Sequence, residues 1–103
     1  MYIQINADKN LNVRDTFAKK LKTFISEKLK RFDENLTRLD VHFSDINGRK
    51  AGVMDKQCAL EARLNGKPPL AARALGDNYE LALKGAIEKL MASLERITGK
   101  MKN

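Results

Sequence analysis

Apolar and polar residues alternate at the start of the chain. Ile3 and Ile5 stand between Tyr2, Gln4 and Asn6, the period of a strand with one buried face. The period then lengthens. Val13, Phe17, Leu21, Phe24, Ile25, Leu29 and Phe32 recur at three- and four-residue steps, which predicts an amphipathic helix with an aromatic-rich inner face. Asn12 is placed to cap this helix, and Asp15 falls in its first turn, where a carboxylate is favoured. Alternation returns in LTRLDVHFSDI, where Leu39, Val41 and Phe43 oppose Arg38, Asp40, His42 and Ser44. DINGRKAGVMDK, with two glycines and mixed charges, reads as a long loop. QCALEARL alternates again, with Cys58, Leu60, Ala62 and Leu64 on one face. Asn65-Gly66 then predicts a tight hairpin, since both residues tolerate positive φ. The return strand is KPPLAARAL; Pro68 and Pro69 donate nothing to a ladder, so its start is irregular or lies at an edge. Asp77-Asn78 caps a second helix with Tyr79, Leu83, Ala86, Ile87, Leu90, Leu94 and Ile97 along one stripe, and Gly99 stops it.

The predicted order is β-α-β-β-β-α in one domain spanning residues 1–103. A strand-helix-strand unit is right-handed with parallel strands, and the hairpin makes the later strands antiparallel. Each helix has a single apolar face. The expectation is therefore an α+β fold: a four-stranded mixed sheet with two helices packed on one face.

Charge adds a direction to this picture. Lys and Arg number 20 against 13 Asp and Glu, a formal net charge of +7, and such a balance favours polyanionic partners. It is also unevenly spread. In AKKLKTFISEKLKRF, residues 18–32, basic side chains stand at 19, 20, 22, 28, 30 and 31, with Glu27 the only acid. At roughly 100° per residue, Lys20, Lys28 and Arg31 fall within about an 80° arc bordering the apolar face. On the second helix Lys89, Arg96 and Lys100 share a face within about 40°, also beside the apolar stripe. Two helices side by side could unite these edges into one basic groove for phosphates. Lysines also line helices simply because they are soluble and form helix well. That bland explanation leaves the shortage of acids in residues 18–32 unaccounted for, since alternating charges would support the helix better. Arg49 and Lys50 in the long loop are candidate additional phosphate contacts.

Chemistry for catalysis is sparse, and an enzyme is not expected. His42 is the only histidine, with Asp40 and Ser44 as its same-face neighbours, but side chains two apart on a strand are beyond hydrogen-bond reach. No cluster has metal-ligand spacing, and NGRKAG lacks the spacing and context of a phosphate loop. No cofactor and no metal are expected. Cys58 is the only cysteine and reads as an inert core thiol. Tyr79 reads as the cap of its apolar stripe, with base stacking the less favoured alternative. No apolar leader or membrane span is seen, so a cytoplasmic protein is expected.

Taken in order, LKRFDENLTRLDVHFSDINGRKAGVMDKQCALEARLNGKPPLAARA, followed by a helix carrying GAIEKL, resembles the ribosome hibernation promoting factor family. Its members are also called ribosome-associated inhibitors, small-subunit interface proteins or sigma-54 modulation proteins. The resemblance covers essentially the whole chain. It implies the β-α-β-β-β-α fold, whose last five elements resemble a double-stranded-RNA-binding domain. It also implies binding to the small ribosomal subunit, through ribosomal RNA, in the channel used by messenger and transfer RNA during stress or stationary phase. Translation would be blocked by occupancy, without chemistry, membrane or small-molecule substrate. Residue by residue, the family's basic positions fall on Lys28 and Arg31 and on Lys89 and Arg96, members of the two stripes already found. A third position, usually basic, holds Ala92, and the DMY signature of the last helix is DNY, displaced by one residue. The chain resembles the short form and is expected to act as a monomer, with at most weak pairing through the open sheet face. The competing readings are a generic binder of structured RNA and a protein-interaction module modulating transcription.

Overall fold

In the computed structural model of the protein, which describes residues 1–8, 14–46 and 56–99, the elements follow the expected order. Strand β1 (Tyr2–Ala7) lies parallel to β2 (Leu36–Asp45), with Ile3 beside Leu39 and Ile5 beside Val41. Strand β3 (Lys56–Leu64) runs antiparallel to both β2 and β4 (Lys67–Gly76), and the sheet order is β1-β2-β3-β4. Strand β4 is thus an edge strand. Pro68 and Pro69 sit in it where no ladder bond is demanded of them, and the register shifts beside them, between Ala62 and Leu64. The β3–β4 turn places Gly66 at φ +68°, and the backbone N–H of Asn65 donates to the Asn35 carbonyl, tying the hairpin to the turn before β2.

Both helices cover one face of this sheet. Helix α1 (Asp15–Lys28) buries Leu21 and Ile25; helix α2 (Tyr79–Thr98) buries Ala82, Leu83, Ala86, Ile87, Leu90 and Leu94 over β3 and β4. They join Leu39, Val41, Phe43, Cys58, Leu60 and Ala62 from the sheet in one core cluster. Each large aliphatic or aromatic side chain so enclosed contributes about 1.5–3 kcal/mol by leaving water.

The first helix differs from the expectation at its end. Its α-helical part stops at Lys28, and a 3-10 turn over Lys30–Phe32 continues it, with the Phe32 N–H bonded to the Leu29 carbonyl at 2.9 Å. Leu29 and Phe32 are both fully buried. The tighter turn keeps both side chains in the core while the chain reverses into β2. The expected cap Asn12 and its neighbour Val13 lie outside the described residues, and Arg14 occupies the N-cap position without a side-chain bond. The second helix begins as expected: the Asn78 side chain accepts a hydrogen bond from the Leu81 N–H, and Gly99 ends it at φ +73°. At the join of β4 and α2, Gly76 comes so close to the helix that a Cβ there would lie 2.6 Å from the Ala82 nitrogen.

Candidate nucleic-acid interface

Residues four apart on a helix stand one above another, so Lys20, Phe24 and Lys28 follow a single edge of α1. That edge faces α2. At one end Lys20 Nζ meets Glu80 at 3.1 Å, and at the other Arg31, from the 3-10 turn, meets Glu95 at 2.6 Å. Lys20 and Glu80 are well exposed, so their pair contributes at most about 1 kcal/mol; Arg31 and Glu95 are more enclosed and more tightly joined. Between these clasps lies a cleft of about 630 Å³. Its floor is apolar, from Phe24, Ile87 and Met91, and its rim carries Lys28, Lys84 and Glu88. Lys28 Nζ lies 5.8 Å and Lys84 Nζ 5.9 Å from the centre of the Phe24 ring, one ammonium from each helix.

The first basic stripe is therefore where the sequence placed it. Lys20, Lys28 and Arg31 line the edge that meets the other helix. The second is not. Lys89 donates to the Arg73 carbonyl of β4 at 2.9 Å, which puts it on the flank of α2 away from α1. It stands about 140° round the helix from Lys84. Arg96, seven residues on from Lys89, shares that flank and donates to Ser93 Oγ at 3.2 Å. The expected union of both stripes in one groove is thus corrected. The flank of α2 turned towards α1 carries Glu80, Lys84, Glu88 and Glu95 instead. The cause is how α2 seats itself: the small residues Ala82 and Ala86 and the larger Leu90 bury against the sheet and set its rotation. Lys100, Arg49 and Lys50 lie outside the described residues.

Sequence reasoning missed Lys84 as a cation of the cleft and the three glutamates as its counter-charges. Their spacing, 80, 84, 88 and 95, was a readable signal, since it marks one helix edge. The edge beside Lys89 also borders the apolar stripe, so spacing left two candidates for the α1-facing side.

The opposite sheet face is paired within itself. Arg38 donates to both oxygens of Asp40 at 3.0 Å and to Gln4, and lies 5.1 Å from the centre of the Tyr2 ring. The bond from Arg38 holds the Asp40 carboxyl below its usual range. His42 Nε2 meets Asp8 at 2.8 Å. The imidazole is thus engaged with β1's end, and Asp40 with Arg38, rather than with each other.

Residues 4–102 match the family described as Sigma 54 modulation protein / S30EA ribosomal protein. The chain belongs to that family. Membership makes it a ribosome-associated factor of a non-enzymatic kind. No curated protein sequence matches it. Solved structures share the fold, two of which follow. One is a ribosomal subunit interface protein from Coxiella burnetii, 18% identical, covering 97% of this chain and 100% of that chain at a TM-score of 0.72. The other is the Protein Y N-terminal domain of Thermus thermophilus, also 18% identical, covering 94% of this chain and 99% of that chain at a TM-score of 0.72. Among the described residues no helix is long and apolar enough to cross a membrane.

Proposed function

We propose that this protein binds the small ribosomal subunit in the cytoplasm and blocks translation under stress or in stationary phase by occupying the channel of messenger and transfer RNA. The match over residues 4–102 is the observation that carries this reading. The charge supports it. A domain of net charge +7 presents Lys28 and Lys84 at the interhelical cleft and Lys89 and Arg96 on the far flank of α2. Phosphate contacts fix position and strength rather than sequence. The protein works as a monomer in this proposal, with Lys20, Arg31 and Lys100 and the loop residues Arg49 and Lys50 as further phosphate contacts.

The test is sedimentation with purified small subunits. Lys28→Glu combined with Arg96→Glu should abolish association while leaving the thermal unfolding midpoint near that of the parent. Unchanged association of a folded double variant would overturn the proposal. Retention on free structured RNA without retention on subunits would favour the generic RNA binder instead.

A further inference from the structure

The cleft between the helices is lined by both signs of charge, but two of its cations stand outside the ion pairs. On the same edge of α1, Lys20 and Arg31 are each tied to a glutamate of α2. Among the described residues, neither Lys28 nor Lys84 has an acid within ion-pair distance, although both converge on Phe24. Their distances to the one ring centre place the two ammoniums at most about 12 Å apart, a span that two flexible four-carbon stems can close around one phosphate. Two like charges drawn to one aromatic ring repel each other, and an anion between them would relieve this. Beneath them the cleft offers more than charge. Phe24, Ile87 and Met91 form an apolar floor, and Ala92 adds a small side chain to the lining. Glu88, one turn from Lys84, adds an acceptor for an N–H donor.

A bare phosphate would use only the ammonium pair. A nucleotide would use all three features: its phosphate on Lys28 and Lys84, its ring on the apolar floor, and an exocyclic amino group on Glu88. We propose that the interhelical cleft is a nucleotide subsite, taking one unstacked nucleotide whose phosphate is clamped between Lys28 and Lys84. Lys84 is the residue that makes it a clamp, since it brings the second cation from the opposite helix. The inference deepens the RNA-binding reading and rests on it only for the source of the nucleotide, an RNA strand rather than a free mononucleotide.

The test uses the full chain labelled at its methionine methyls and phenylalanine rings and followed by NMR, with AMP, inorganic phosphate and single-stranded hexa-adenylate as probes. AMP and the hexamer are expected to shift the Met91 methyl and the Phe24 ring signals, with phosphate binding at least tenfold more weakly than AMP, about the worth of one good polar contact. Lys84→Gln should weaken AMP roughly tenfold, and Lys84→Arg should retain most of the affinity. A hexamer bound more tightly than AMP supports an RNA strand as the source; equal affinities support a free nucleotide in the same subsite. The subsite is overturned if neither AMP nor the hexamer moves Met91 and Phe24, if phosphate binds as well as AMP, or if Lys84→Gln binds AMP as the parent does. Sedimentation with small subunits is scored separately. A chain that associates with subunits while AMP and the hexamer leave the cleft unmoved refutes the subsite alone. One that takes AMP in the cleft but ignores subunits refutes the ribosomal reading alone.

Discussion

Asp40 shows how one side chain's environment becomes a property of the fold. Arg38 donates to both its oxygens, which holds its carboxyl below the ordinary value of 3.8. A carboxyl whose folded value is lowered stabilises the native state above the unfolded value, and that contribution is lost as pH falls through the folded one. Asp40→Asn removes the titration. The difference in unfolding midpoint between parent and variant should therefore be constant near neutrality and shrink below about pH 4, as thermal melts from about pH 6 to about pH 2.5 would show. A gap that persists in acid would mean the pair contributes through packing alone. Cys58 is the opposite case. Full burial pushes its thiol up to about 12, so it stays protonated and unreactive, as its place in the alternating face of QCALEARL foretold.

At the scale of elements, the ends of the two helices are built differently. Helix α2 has a side-chain cap at Asn78 and a left-handed glycine at Gly99, both readable from residue type and position. Asn78→Ala frees the Leu81 N–H of its partner and should cost about 1 kcal/mol, lowering the unfolding midpoint by about 4–8 °C. A melt within 1 °C of the parent would mean that water replaces the cap without loss. The C-terminal end of α1 was less legible. Leu29 and Phe32 fit the helical period, so the apolar pattern continued through residue 32, while the backbone tightened into a 3-10 turn after Lys28. Periodicity reports which face is buried, and a 3-10 turn buries nearly the same face; only the reversal into β2 distinguishes them. The β1 and β2 strands and the hairpin at Asn65-Gly66 were legible, because alternation and turn chemistry act locally, whereas the prolines left β4 either irregular at its start or at an edge, and the sheet order makes it an edge strand.

For the whole molecule, the same cations divide into those held by acids and those facing solvent. Lys20 and Arg31 must exchange a glutamate for a phosphate, so each should add less to net ion release than Lys89 or Arg96. Measured as log affinity for small subunits against log salt, Lys89→Gln and Arg96→Gln should each shallow the slope by about one unit. Arg31→Gln should shallow it by less, and Glu95→Gln should tighten binding by removing a carboxylate that competes with phosphate. Equal slopes for Arg31→Gln and Arg96→Gln would show that the Arg31–Glu95 clasp opens without effect on binding.

The sequence by itself determined the elements, their order, the single-sided helix layer, the inert cysteine and the excess of positive charge. These follow from period, turn residues and composition, which are local or additive. What only the tertiary structure decided is which edge of α2 turns towards α1. Two edges border its apolar stripe, one bearing Lys89 and Arg96 and the other bearing Lys84 with Glu80, Glu88 and Glu95. A helical wheel treats them alike. The rotation at which Ala82, Ala86 and Leu90 seat against β3 and β4 chose the second, and so joined Lys28 to Lys84 across Phe24 rather than to Lys89.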